Sequence, residues 1–163
     1  MRASTGKIID YYIHEAPDSV LCVCINGTRV LIEKQYRPSV NRFSVDYPAG
    51  RIENTDRSIE DAVRRELKEE TGYAPMKITH LATVDKDPSF SNACLHIYLV
   101  QGVRYDSADP DDTEDIVSKW VENQEVLSMI QSGEIRCSFC IAATFYAFRE
   151  LGWLETQSTE EKR

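Results

Sequence analysis

The chain has no run approaching the 18 apolar residues that span a bilayer, and its opening residues, MRASTGKIID, lack the apolar core of a secretory signal. Those two absences predict a soluble, cytoplasmic protein with no membrane partner. Basic charge is also scarce: 19 lysines and arginines stand against 27 aspartates and glutamates, a formal charge of −8. A nucleic-acid footprint needs a basic face, so this balance argues against a nucleic-acid partner. It leaves room for a small anionic ligand, because a bound metal and a few arginines can reverse the local field. The five cysteines are Cys22, Cys24, Cys94, Cys137 and Cys140. An odd count within apolar stretches suits reduced thiols in a cytosolic protein. Cys137-x-x-Cys140 has the spacing of half a zinc site or of a redox pair. There is no second CxxC, however, and His80 and His96 are not at finger spacing. No internal repeat or linker is visible, so 1–163 reads as one domain with a polar tail over 155–163.

What is present is a series of short apolar runs broken by turn residues. Strands are expected at 7–14, 20–25, 30–33, 43–47, 77–84, 94–102 and 116–121. Asn26-Gly27 between two apolar runs predicts a hairpin, and Pro38 ends its second strand. Asn123 is a plausible cap for a helix running to Ser132 with Gly133 as its stop. A closing helix is expected from Ser138 to Leu154, with Ile141, Phe145 and Phe148 on its buried side. Strands interspersed with three helices and joined partly by hairpins fit an α+β architecture, a mixed sheet with helices on both faces.

The most informative stretch is Pro48 to Tyr73, PAGRIENTDRSIEDAVRRELKEETGY. Ile59, Ala62, Val63 and Leu67 recur at helical spacing, so one stripe faces a core. Gly72 supplies the stop, and Thr55, Asp56 or Ser58 can cap the start. Glu66, Glu69 and Glu70 then share one patch of helix surface. Crowding like charges costs roughly 0.2–0.5 kcal/mol per pair. A hard cation among them removes that cost, since oxygen ligands are what Mg²⁺ takes. An ExxEE run alone is more often a solvated acidic face with Arg64, Arg65 and Lys68 as partners.

The wider pattern changes that reading. Gly50, Arg65, Glu66, Leu67, Glu69, Glu70, Gly72 and Tyr73 fall on a glycine, a spaced glutamate, then R-E-U-x-E-E-x-G-U with U apolar or aromatic. The stretch resembles the Nudix box. It departs from the box twice, both times in the loop before the helix. The spacing from Gly50 to Arg65 is one residue longer, and Asp56 or Arg57 stands where an early glutamate is expected. Beyond the box, Gln35-Tyr36-Arg37-Pro38, the segment Asp46 to Gly50, and Asp87-Pro88-Ser89-Phe90-Ser91-Asn92 are similar to the ADP-ribose pyrophosphatase branch. Asp46 replaces a glutamate of that branch and Ser89 a glycine. The likeness runs from about Ile8 to Leu154.

The resemblance implies the Nudix α/β/α sandwich with a short N-terminal β extension over 1–14. It also implies Mg²⁺-dependent hydrolysis of a nucleoside diphosphate sugar, with Mn²⁺ as an alternative metal. ADP-ribose, giving AMP and ribose 5-phosphate, is the leading substrate. Carried onto this chain, the metal ligands are Glu66, Glu70 and the Ala49 carbonyl. Glu69 adds negative potential or binds through water, and Arg65 is an ion-pair partner that holds it. In Asp112-Thr113-Glu114-Asp115 the resemblance implies Asp112 as general base and Glu114 as a further metal ligand. Loop spacing leaves the choice between those two acids open, with Glu69 as the base if neither serves. Arg37, and after it Arg51, are the candidates for phosphate oxygens away from the metal, because a guanidinium fork suits phosphate. Tyr11 and Tyr12 are available to stack on a base but stay unassigned. The branch works as a homodimer through its N-terminal strands, and Ile8 to Ile13 is apolar on both faces, which an exposed edge strand avoids. A rival reading is a related module that binds a nucleotide without hydrolysing it. Three crowded carboxylates speak against that rival.

Overall fold

Every interior residue of SVLCVCIN is apolar, so this strand must be covered on both faces, and the fold is built around it. The computed structural model describes residues 4–8, 10–106 and 116–154. Along the chain the elements are β1 (Ser19–Asn26), β2 (Arg29–Arg37), β3 (Arg42–Asp46), β4 (Ala49–Arg51), α1 (Ile59–Thr71), β5 (Tyr73–Asp85), β6 (Cys94–Tyr105), β7 (Ile116–Glu122), α2 (Asn123–Ser132) and α3 (Ser138–Glu150). They form one mixed seven-stranded sheet ordered β3-β2-β1-β6-β5, with β4 also on β1 and β7 also on β2. The parallel pair is β1 with β6, in register from Ser19 opposite Leu95 to Ile25 opposite Gln101. The hairpin turn sits one residue later than expected: Asn26 pairs Arg29, leaving Gly27 and Thr28 as the loop, and Gly27 takes the required positive φ of 63°.

The two-residue period of β1 splits the core in two. Leu21, Val23 and Ile25 face α2 and α3, where Val126, Met129, Ala143, Ala147 and Phe148 are buried with them. Val20, Cys22 and Cys24 face the other way, against Ala62, Val63 and Leu67 of α1. The sheet therefore lies between helices, as the α+β sandwich reading required. Burial pushes the Cys22 and Cys24 thiols well above their ordinary range, so both are packing residues.

Three local expectations need correction. Among the described residues of 7–14 only Ile8 and His14 are bridge residues, His14 pairing with Ser91, and these described residues form no strand of the sheet. Instead His14 stacks on Phe90 at 5.6 Å and donates its N–H to the Phe90 carbonyl. Asn123 opens α2 as its first residue, with Glu122 in the cap position. Of the α3 stripe only Phe148 is buried, while Ile141 and Phe145 are 40% and 51% exposed. Ala143 and Ala147 let the helix lie close to the sheet, and that choice of face turns Ile141 and Phe145 outward. The helix also stops at Glu150. Gly152 at φ 68° reverses the chain, and Trp153 folds edge-on against Phe148 at 5.1 Å.

Candidate active site

Helix α1 begins where Ser58, in extended backbone, accepts the Asp61 N–H at 3.1 Å, and it ends where Gly72 at φ 73° returns its N–H to Lys68. Burying Ala62, Val63 and Leu67 against the sheet turns Glu66, Glu69 and Glu70 toward the end of β4. There the Ala49 N–H donates to Glu70 Oε2 at 2.8 Å. Gly50, one residue on, carries no side chain to compete with Glu66. A Cβ built there would stand 2.0 Å from the Glu66 carboxyl carbon, so the missing side chain makes the space that Glu66 fills. Glu66 is 9% exposed, an unusual place for a carboxylate.

Arg65 is the brace of this cluster. Its Nη1 donates to Glu66 Oε1 at 2.8 Å and to Glu69 Oε2 at 3.0 Å, so the ion pair expected with Glu69 is present and extends to Glu66. Its Nη2 reaches the Arg51 carbonyl at 2.8 Å. Its other edge meets Asp56 through Nε at 3.1 Å and Nη2 at 2.9 Å, the two-pronged geometry that suits guanidinium and carboxylate. Asp56 also accepts the Glu53 N–H at 2.8 Å, and Arg65 holds its carboxyl below the usual aspartate range. Of the two residues that could stand in the early acidic position, Asp56 is thus the one turned onto the helix.

These residues enclose a cavity of about 430 Å³ lined by Arg37, Arg51, Glu53, Arg65, Glu66, Glu69 and Glu70, with Ala49, Gly50 and Ile116. Arg37, Ala49, Gly50 and Arg51 also line a second cavity of about 550 Å³. The second one holds Arg42, Lys86 and Arg136 among its walls, together with Val40, Tyr47 and Phe139. Arg37 is held at their common border by Asp46, whose Oδ2 accepts from Nε at 3.2 Å while Ser44 Oγ donates to Oδ1 at 3.0 Å. Lys86 is anchored through Nζ to Ser19 Oγ at 2.6 Å, and partial burial lowers its pKa.

The structure thus brings Ala49, Glu66, Glu69, Glu70, Arg37 and Arg51 to one cleft. Asp112 and Glu114 lie outside the described residues, although Ile116, where β7 begins, lines the carboxylate cavity. Sequence reasoning missed Glu53, Arg42, Lys86 and Arg136. The last three are scattered over nearly a hundred residues, and no spacing rule links them. The D-P-S-F-S-N segment holds itself as a turn, Ser89 donating from N and Oγ to Asp87 Oδ1, and it docks the N-terminal segment through Tyr11, which donates to the Ser89 carbonyl.

The all-oxygen donor set of Glu66 and Glu70, with the cradle that Gly50 leaves for Glu66, fits a hard divalent cation. A family model described as the NUDIX domain matches residues 15–136, and the chain belongs to the Nudix family. Its resemblances within the family fall in the ADP-ribose pyrophosphatase branch. It is 27% identical over 150 residues to an ADP-ribose pyrophosphatase of Bacillus subtilis, covering 80% of each chain. It is 42% identical over 72 residues to an ADP-ribose pyrophosphatase of Saccharomyces cerevisiae, covering 44% of this chain and 31% of that one. A crystal structure of an ADP compounds hydrolase superposes with a TM-score of 0.84 at 19% identity, over 94% of this chain and 85% of that one, a likeness of fold.

Proposed function

We propose that this Nudix pyrophosphohydrolase cleaves the diphosphate of a nucleoside diphosphate sugar, with ADP-ribose, converted to AMP and ribose 5-phosphate, as the leading substrate. One observation carries the reading: a carboxylate-lined cavity and a cation-lined cavity meet at Arg37, Ala49, Gly50 and Arg51. A diphosphate lying across that border would have its reacting phosphate beside the glutamates and the rest of its charge among arginines. The bacterial relative's activity supports the same class of substrate.

Glu66, Glu70 and the Ala49 carbonyl would hold Mg²⁺, or Mn²⁺ in its place, with Glu114 as a further ligand. When bound, such an ion neutralises phosphate oxygens and acidifies water. The chain's own residues do the rest. Arg65 and Asp56 set the carboxylates in place, and Glu69 adds negative potential. Asp112 accepts the proton of the attacking water, a task that falls to Glu69 if the acidic loop does not supply the base. Arg37 binds a phosphate oxygen through the guanidinium edge that Asp46 leaves open, and Arg51 serves as second donor.

A single domain carries this chemistry in a homodimer. Ile8, Tyr11, Tyr12 and Ile13 are 79%, 49%, 82% and 58% exposed, and a symmetric partner would cover them. The charge of −8 speaks against nucleic-acid partners, and five free cysteines suit a reducing cytoplasm. Among the described residues no helix is long and apolar enough to cross a membrane.

The test is to incubate the purified protein with Mg²⁺ and a panel of nucleotide sugars, then measure phosphate released after phosphatase coupling. Release from ADP-ribose above the other sugars is the expected result. Inertness across the panel, with nucleotide binding retained, would establish the non-hydrolysing module instead.

A further inference from the structure

Cys137 and Cys140 form a group that the hydrolytic reading leaves unused. Cys137 is the N-cap of α3 and Cys140 lies one turn into it, so the pair straddles a helix N-terminus. Their sulfurs and a carboxylate oxygen of Asp46 all lie within 4.8 Å of one another. Both cysteines line the cation-rich cavity, Cys137 half-buried and Cys140 at 1% exposure. Cys140 Sγ donates to Asp46 Oδ1 at 3.9 Å. Cys137 has extended backbone, φ −67° and ψ 117°, so its side chain is not locked by the helical ladder. One residue in the cap and one a turn later have the Cα spacing that a disulfide accepts, about 4.4–6.8 Å.

A metal is the poorer occupant of this group. Asp46 is already engaged by Arg37 and Ser44, and Arg37, Arg42, Arg51, Lys86 and Arg136 around the same cavity would repel a further cation. The same field and the helix N-terminus favour a thiolate. We propose that Cys137 and Cys140 are a reversible dithiol–disulfide site, with Cys137 as the attacking thiol and Cys140 as the resolving one. Turned from Asp46 onto Cys137, the one Cys140 S–H, with backbone N–H groups at the helix start assisting, holds the Cys137 thiol at about 6 against the opposing effects of burial and Asp46. Cys140 itself is pushed up, by its hydrogen bond to Cys137 and by burial.

With hydrogen peroxide as oxidant, the Cys137 thiolate attacks one oxygen. An S–O bond forms, the O–O bond breaks, and hydroxide leaves to take a proton from solvent. The Cys140 sulfur then attacks the sulfenic sulfur. The S–S bond forms, the S–O bond breaks, and water departs with the Cys140 proton. The two sulfurs lose two electrons, and the peroxide becomes two waters. A small dithiol reverses the reaction by exchange. Closing the bond takes the Cys140 S–H away from Asp46, the carboxylate that holds Arg37, so the thiol state is linked to the cleft.

The test treats the full reduced chain with one equivalent of hydrogen peroxide, blocks remaining thiols with a maleimide, and maps the digest by mass. The expected product is a 137–140 fragment two hydrogens lighter and unblocked, restored by dithiothreitol, with Cys94 still free to react. Cys94 is the internal reference, because partial burial and its neighbours Asp18 and Asp85 push its thiol up. In Cys140→Ser, dimedone should trap a sulfenic acid on Cys137 at least roughly threefold faster than on Cys94. The wild-type digest keeps the test decisive if that variant does not fold. Both thiols remaining blockable after peroxide would overturn the proposal, as would Cys94 oxidising first. Zn²⁺ retained through desalting while shielding both thiols would also overturn it, in favour of a metal centre.

Discussion

The two cavities that meet at Arg37 and Gly50 were built by opposite means. The carboxylate cavity takes most of its charged groups from one helix, where Arg65, Glu66, Glu69 and Glu70 come together because 3.6 residues make a turn. The cationic cavity draws Arg37 from β2, Arg42 from β3, Arg51 from β4, Lys86 from the loop after β5 and Arg136 from the loop before α3. Local periodicity suffices for the first, whereas the second exists only once the sheet is paired. The chain's charge of −8 thus hides a basic wall, assembled where an anionic ligand can lie against it.

If the acidic side is where the reaction occurs, its loss has the largest effect. Glu66→Gln or Glu70→Gln should lower turnover at least about a hundredfold, the scale of removing one electrostatic element from a site. The Mg²⁺ dependence should flatten, and the thermal midpoint without metal should stay level or rise, because an anion cluster is relieved. Loss of the circular dichroism of the fold would make these residues structural. Within the same region, Asp112→Asn should lower kcat with Mg²⁺ affinity near normal, while Glu114→Gln should weaken metal binding. Full activity in both would move the base to Glu69.

Gly50→Ala separates position from charge. The added methyl meets the end of a flexible carboxylate side chain, so the fold should survive while Glu66 is displaced. Turnover should fall by tens of fold, short of the roughly hundredfold cost of a 1 Å misplacement. An unchanged rate would mean that Glu66 need not sit where it does.

On the basic side the expected effects are smaller and of another kind. Arg37→Ala should raise KM about tenfold with kcat little changed, as loss of one charged hydrogen bond to substrate predicts. Arg37→Lys should restore only part of it, because the fork is lost. A fall in kcat at unchanged KM would place Arg37 with the carboxylates instead.

The smallest effect falls on Asp56, the partner of the Arg65 brace. Asp56→Asn should destabilise the protein by about 1–2 kcal/mol, with only a few-fold loss of rate. Arg65 depresses the folded-state pKa of Asp56, so its stabilisation is complete at neutral pH and disappears as pH falls from about 4 through the lower folded value. The gap in thermal midpoint between wild type and variant should therefore narrow below pH about 4. A constant gap would remove the ion pair from the explanation.

Much of this protein is legible in its amino-acid order. Gly72 as helix stop, Ser58 among the possible caps, the apolar stripe of α1 and the grouping of three glutamates follow from short-range rules, since every partner lies within a turn of the helix. The hairpin at Gly27 and the doubly buried β1 are equally local. What the sequence left open depends on residues meeting across the sheet. Asp56 as the partner of Arg65 needed the loop folded back on the helix, which no periodicity describes. The outward turn of Ile141 and Phe145 was decided by which face of α3 could approach the sheet closely, and Ala143 and Ala147 made that choice. The segment 7–14 looks like a strand by composition, yet what holds it is the distant 87–91 turn, through Tyr11 on the Ser89 carbonyl and the His14 backbone N–H on the Phe90 carbonyl. The basic wall and the Cys137–Cys140–Asp46 group likewise arise from pairings such as β1 with β6, seventy-six positions apart at Ser19 and Leu95. Local chemistry determined the glutamate-bearing helix, because a helix is a contract between near neighbours. Tertiary structure decided what that helix faces, because burial is settled only when distant segments close the core.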